Sequence, residues 1–253
     1  MRYDISLANE IGAYPTCQSA LGNGEKSMDK SSAQSPGNAR EGIWTLVEEI
    51  DRYLARMPGP GIAEVRSGIA RAHGKAVQPK IVSSNAVVET HLPSALGILS
   101  GTHSELASAI GGALPWLRWV NYSAYPLDEI GEGFASNHAF ASILGEGSLI
   151  DAHDFSLGLF LISPHVLYRD HSHPAPELYA PLTGPHGWRF QPNGQLSMLD
   201  AHQPVWNEPN QSHLTKVGST PFLCIYCWTK DVDESAVVRH ASDWAELEEL
   251  QLN

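Results

Sequence analysis

Hydrophobic positions change their period about halfway along the chain. Ile43, Leu46, Val47, Ile50, Tyr53, Leu54 and Met57 recur three and four residues apart, the spacing of one helix face. Pro58-Gly-Pro-Gly follows and predicts the end of that helix, because proline has no N–H to continue the ladder. Helices are also predicted over Ile62–His73, Leu92–Ser100 and Ser104–Leu117, the last with Ser104 as its cap. After about Trp119 the apolar residues fall instead in short runs broken by Gly, Pro, Asn and Asp. These runs predict strands at Trp119–Ser123, His138–Leu144, Leu157–Ser163, His165–Arg169, Leu178–Leu182, Gly187–Gln191, Val205–Asn207, His213–Val217 and Pro221–Trp228. Many short strands at this spacing suggest a sandwich or small barrel. The tail from Ser242 to Leu250 opens with a capping serine and early acids, as a helix does.

Residues 13–40 are mostly Gly, Ser, Asn, Lys and Pro and bury too little apolar surface to offset their ordering entropy, so a mobile loop is predicted there. The expected organisation is a helical N-terminal extension over 1–117, a β-barrel over 118–235 and a helical tail over 236–253. Sixteen Lys and Arg stand against 28 Asp and Glu, a formal charge of −12. That balance argues against a nucleic-acid partner, which needs clustered cations. Leu157–Ile162 and similar runs are far shorter than the roughly 20 residues that span a bilayer, so no membrane partner is expected. Three cysteines are too few for a disulfide framework and fit a reducing, cytoplasmic setting. Cys224 and Cys227 form a Cys-x-x-Cys, yet on a strand they face apart and read as small apolar residues.

Twelve histidines prompt a search for a metal site. Tyr168-Arg-Asp-His171-Ser-His173-Pro-Ala-Pro-Glu177-Leu-Tyr179 is the informative segment. His171, His173, Glu177 and Tyr179 share one parity, so an extended chain aims them to one side, although Pro174 and Pro176 predict a bend between them. Asn207-Glu-Pro-Asn-Gln-Ser-His213 supplies a third imidazole. Three neutral imidazoles and a carboxylate suit one divalent transition ion, with Zn, Fe, Mn, Ni and Co all acceptable.

His171, His173, Glu177 and Gly184 have the spacing of the first motif of the cupin superfamily, which this chain resembles over roughly residues 115–232. His165 replaces the glycine expected six places before His171. Pro209-Asn-Gln-Ser-His213 keeps the histidine of the second motif without its glycine. Tyr168, His171, His173, Glu177, Tyr179, Gly184 and Trp188, with the later Pro221–Trp228 run, are similar to bacterial cupin lyases that cleave dimethylsulfoniopropionate (DMSP). The resemblance implies a mainly β fold, a cupin (double-stranded β-helix, jelly-roll) barrel with an N-terminal helical extension. It also implies a metal held by His171, His173 or both, with Glu177, His213 and, as a further candidate ligand, Tyr179, and it implies Tyr168 or Tyr179 in proton abstraction.

The substrate would be a small zwitterionic sulfonium compound, and the products dimethyl sulfide and acrylate. A soft cation is received by aromatic faces, for which Tyr122, Trp188, Tyr226 and Trp228 are candidates. An iron-dependent cupin dioxygenase and a non-catalytic small-molecule-binding cupin are the alternatives. A homodimer is left open.

Overall fold

The computed structural model describes residues 36–252. The stretch 13–40 read as a loop lies outside the described residues as far as residue 35. Four helices come first: α1 (Pro36–Leu54), α2 (Ile62–Ala72), α3 (Ala86–Ser100) and α4 (Ser104–Ala113). α3 starts six residues ahead of its expected position because Asn85 caps it, its Oδ1 accepting from Val87 N and Val88 N at 3.1 and 3.2 Å. Pro93 sits inside this helix, where it deletes a single ladder bond.

The expected strand at Trp119–Ser123 is a single bridge, Val120 with Phe140. Two residues on, Tyr122 N–H goes to His138 Nε2 at 2.8 Å rather than to a strand. Two short helices, α5 (Leu127–Ile130) and α6 (Glu132–Ser136), lead into the β region. Its strands are β1 (His138–Leu144), β2 (Ser156–Ile162), β3 (Leu167–Ser172), β4 (Glu177–Pro181), β5 (His186–Arg189), β6 (Ser197–Leu199), β7 (Val205–Asn207), β8 (His213–Val217), β9 (Phe222–Trp228) and β10 (Val237–Val238). The chain closes its described part with α7 (Trp244–Glu249).

The strands form two five-stranded antiparallel sheets, β1-β2-β9-β4-β7 and β10-β3-β8-β5-β6. An aromatic core fills the space between them, with Phe160, Phe222 and Tyr179 from the first sheet meeting Tyr168, Trp188 and Val217 from the second. This is the cupin barrel with preceding helices that the sequence resemblance implies. The first sheet is buried on both faces. Leu157, Leu159 and Leu161 of β2 and Leu223, Ile225 and Cys227 of β9 point away from the barrel into a second core shared with α1–α4. Cys224 joins the inner core and Cys227 the outer one, so the two cysteines do face apart. Gly158 of β2 is required by crowding, since a Cβ there would come within 2.8 Å of the Tyr226 ring and 2.3 Å of Ala141 O.

A polar latch also joins helices to barrel. His202 Nδ1 lies 3.0 Å from the Tyr53 hydroxyl of α1, and its Nε2 lies 3.3 Å from Thr102 Oγ1. Among the described residues no helix is long and apolar enough to cross a membrane.

Candidate metal centre

The barrel interior gathers the histidines. His171 on β3 pairs directly across from His213 on β8, with ring centroids 4.0 Å apart. His173 follows the end of β3, at the bend of residues 173–176 where the chain leaves one sheet for the other. Its ring lies 5.2 Å from His213. One nitrogen from each of the three lies within 4.8 Å of the others, and all three residues are buried. Glu177 brings a carboxylate from the opposite sheet, with Oε2 3.0 Å from His173 Nε2 and 3.3 Å from His213 Nε2.

Main-chain carbonyls fix the imidazoles. His171 Nδ1 faces Arg169 O at 2.9 Å, His173 Nδ1 faces Ala175 O at 2.8 Å, and His213 Nδ1 faces Gln211 O at 3.0 Å. A carbonyl only accepts, so each Nδ1 carries a proton and each Nε2 is turned towards the shared centre; at His171 it is a lone pair, while at His173, 3.0 Å from Glu177 Oε2, it holds a proton that a cation would replace. That is the arrangement by which proteins orient metal-binding histidines. Among the described residues His213 Nε2 is buried with no hydrogen-bond partner, a cost of the kind a bound cation removes. Burial pushes His171 well below the usual imidazole range, and its two histidine neighbours push it further, so it is neutral as a ligand must be. Burial works against the Glu177 carboxylate, but His173 and His213 outweigh it and hold the group ionised. The donor set therefore fits a divalent transition ion.

Glu177 is clamped from behind. Trp228 Nε1 donates to Oε1 at 2.6 Å and Asn207 Nδ2 to Oε2 at 3.1 Å. Both residues are its cross-strand neighbours, on β9 and β7. The Trp228 ring also stacks on His173 at 4.3 Å. This residue, expected as a substrate contact, thus lies against the candidate ligands, and Asn207 joins it without having been singled out by spacing.

Tyr168 and His171 have opposite parity, yet both face inward. β3 and β8 are in register at Tyr168 with Thr215 and again at His171 with His213, three steps answered by two. A bulge absorbs the extra residue and sends Arg169 and Asp170 to the outer face. Tyr168 stacks on His171 at 3.9 Å and on Phe134 at 3.9 Å, and Phe134 stacks on His138 at 4.0 Å, a column of four rings. The Tyr168 hydroxyl lies 2.8 Å from that of Tyr125. Tyr125 has no sequence signal, since it comes from an irregular loop. Tyr179 stands between Trp188, at 5.3 Å, and His213, at 6.2 Å, and its hydroxyl makes no hydrogen bond among the described residues. Burial pushes both phenols well up, helped at Tyr168 by Tyr125 and at Tyr179 by the Glu177 charge.

The other aromatic candidates separate. Trp188 lies parallel to His213, with ring centroids 5.8 Å apart. Tyr226 turns its hydroxyl to Ser142, 2.9 Å away, and its ring to Phe140 rather than to the imidazoles. Tyr122 packs edge-on against Tyr125 at 5.0 Å, one ring further from the histidines.

The backbone conformation of the missing glycines is preserved. His165 and Asn210 stand where the two cupin motifs carry glycine, and both have positive φ, 63° and 61°.

Comparison with known proteins agrees with this fold. The family model for DMSP lyase matches residues 64–224. A chain from a crystallographic study of the DMSP lyases RdDddP and RnDddQII superposes with a TM-score of 0.59 at 17% identity, covering 80% of this chain and 100% of its own. DMSP lyase DddQ from Ruegeria pomeroyi DSS-3 gives a TM-score of 0.58 at 18% identity, over 80% and 98% of the two chains. At such identities these structures speak for the fold. No curated protein matches the sequence. The family match spans well over half of the chain, from α2 into β9, and the chain belongs to the DMSP lyase family.

Proposed function

We propose that the protein is a lyase that cleaves DMSP to dimethyl sulfide and acrylate, using one divalent transition metal held by His171, His173, Glu177 and His213. The observation that carries this reading is the convergence of three buried imidazoles, tautomerically fixed, on a clamped carboxylate beside two tyrosines. A divalent cation there polarises the substrate carboxylate and makes the neighbouring α-carbon more acidic.

Tyr179 is the base in this reading, because its hydroxyl is uncommitted whereas that of Tyr168 is paired with Tyr125. It takes the α-proton as phenolate, the freed C–H pair becomes the new C=C bond, and the C–S pair leaves on sulfur. Dimethyl sulfide departs neutral and needs no acid, so one base completes the elimination. Buried phenols resist ionisation, which is why such a base must stand near positive charge. Trp188, packed against both Tyr179 and His213, offers the face for the sulfonium headgroup. Tyr168 closes the other side of His171.

Headspace measurement of dimethyl sulfide from DMSP, with the protein loaded in turn with Zn, Fe, Mn, Ni and Co, tests the proposal. Turnover abolished by chelation and restored by metal is expected. Tyr179→Phe should lower turnover by about 10²–10⁴-fold, the range of a lost general base, with metal content intact. No dimethyl sulfide with any of the five metals overturns the substrate assignment.

A further inference from the structure

The outer face of the histidine-bearing sheet holds ionic groups that the chemistry above does not use. Asp170 and Arg189 are buried there, their side chains 0% and 1% exposed. Arg189 forks onto Asp170, with Nε to Oδ1 at 3.0 Å and Nη2 to Oδ2 at 2.6 Å, and also binds both oxygens of Asp243. Trp244 Nε1 donates to Asp170 Oδ2 at 2.8 Å. Arg169 pairs with Glu248 and lies 4.7 Å from the Trp244 ring centre. Lys216 Nζ donates to Glu248 O at 3.0 Å. β10 adds itself to β3 at His171 and Ser172, and Arg239 N–H donates to Asp170 O at 2.7 Å.

All these contacts converge on the bulge, where Arg169 and Asp170 are the two residues between Tyr168 and His171. A bulge disrupts its ladder locally and leaves a strand free to relax. Here the relaxed alternative, a one-for-one register with β8 throughout, would rotate either Tyr168 or His171 out of the barrel. We infer that Asp170 is a positioning residue for the metal centre: with Arg189 and the 237–249 segment it locks the bulge from outside and thereby aims His171 and Tyr168 inward. This inference rests on the metal reading given above. The segment that follows the barrel is accordingly part of the site's machinery, although none of it touches the interior.

Co²⁺ titration of the apoprotein, read by its visible ligand-field bands well below the melting temperature, tests this without reference to turnover. Wild type should bind with a defined spectrum. Asp170→Asn should weaken binding by about 10–100-fold, as loss of a supporting group does at metal sites, and shift the bands. Asp243→Asn, a milder change at a part-exposed residue of the tail, should weaken it less, in the same direction. Leu46→Ala in α1 is the control, expected to lower the melting temperature while leaving Co²⁺ affinity and spectrum unchanged.

If Asp170→Asn does not fold, Asp243→Asn decides. Folded variants of either kind with wild-type affinity and bands overturn the inference while leaving the metal centre standing. Equal weakening by Leu46→Ala overturns it too, because general loosening would then suffice. Wild-type protein that binds no Co²⁺ removes the metal centre and this inference together.

Discussion

The two sheets of the barrel are backed by opposite chemistry. The outer face of β1-β2-β9-β4-β7 is aliphatic and merges with the helices in one core, through residues such as Leu159, Leu223 and Ile225. The outer face of β10-β3-β8-β5-β6 instead buries Asp170, Arg189 and Lys216 under the tail. Apolar packing is strong but non-directional. A bidentate Arg–carboxylate pair fixes angle and register, even where a hydrophobic substitute would be as stable. The sheet with directional backing is the one that carries His171 and His213, with His173 on the residue that follows β3. The contrast suggests a division of labour in which the helical side supplies stability and the ionic side supplies aim.

Truncation on the aliphatic side is the strongest attempt to break this contrast. Leu159 is fully buried in the helix-facing core. Leu159→Ala should cost about 2–5 kcal/mol of unfolding free energy through lost burial and a residual cavity. Denaturant melts would show this as an earlier midpoint. Metal bound per folded molecule, measured by elemental analysis at low denaturant, should stay at the wild-type level. A large loss of metal from the folded variant would mean that both sheets aim the ligands and that the contrast is false.

Acid probes the two sheets with one buried histidine each. Burial pushes His186 on β5 and His138 on β1 down to about 4. Among the described residues His186 has no partner at either nitrogen, while His138 takes the Tyr122 amide at Nε2 and faces Phe134 O with Nδ1, 2.6 Å away. The unfolded chain binds these protons near pH 6.5 and the folded chain only near 4. Stability is therefore fully present above about 6.5, falls through that window as pH drops, and is level below 4. Each group contributes up to about 3 kcal/mol to the loss. His186→Met should remove its share, so that urea melts at pH 5 and pH 7 lie closer together than in wild type. An unchanged difference would place the acid sensitivity elsewhere.

The periods and turn residues along the chain made much of this legible. β1, β2, β7, β8 and β9 lie within a residue or so of their expected runs, because alternation and Gly/Pro punctuation are local properties. The closeness of His171, His173, Glu177 and His213 was legible too, from their spacing on either side of the expected bend at Pro174 and Pro176 and from the third imidazole ahead of β8. What stayed hidden depends on contacts between segments. The bulge between Tyr168 and His171 exists only relative to β8, and Tyr125 reaches the site from an irregular loop. Sequence alternation paired Phe222, Cys224, Tyr226 and Trp228 on one face, but only the helical layer on the other side decides that this face is the inner one. Trp228, an aromatic at a sheet end, gives no hint in its spacing that its indole N–H will clamp Glu177.

His165 and Asn210 offer the finest comparison, since both hold the left-handed backbone that the cupin motifs assign to glycine. They flank the ionic sheet at the approaches to β3 and β8. Asn tolerates this conformation because its short polar side chain bonds locally, whereas histidine gains less from it. His165 is also tied down, its carbonyl accepting from Lys216 Nζ at 2.6 Å and its N–H donating to Gly218 O at 2.9 Å. Those main-chain bonds survive a change of side chain. Removing the Cβ relieves about 1 kcal/mol of left-handed strain, part of which is returned as entropy gained by the unfolded chain. His165→Gly should consequently stabilise the protein by no more than a few tenths of a kcal/mol, seen as a small rise in urea midpoint. Asn210→Gly should change it less. A fall in midpoint for His165→Gly would mean that the imidazole itself anchors the approach to β3, and that the ionic sheet has a further support on that side.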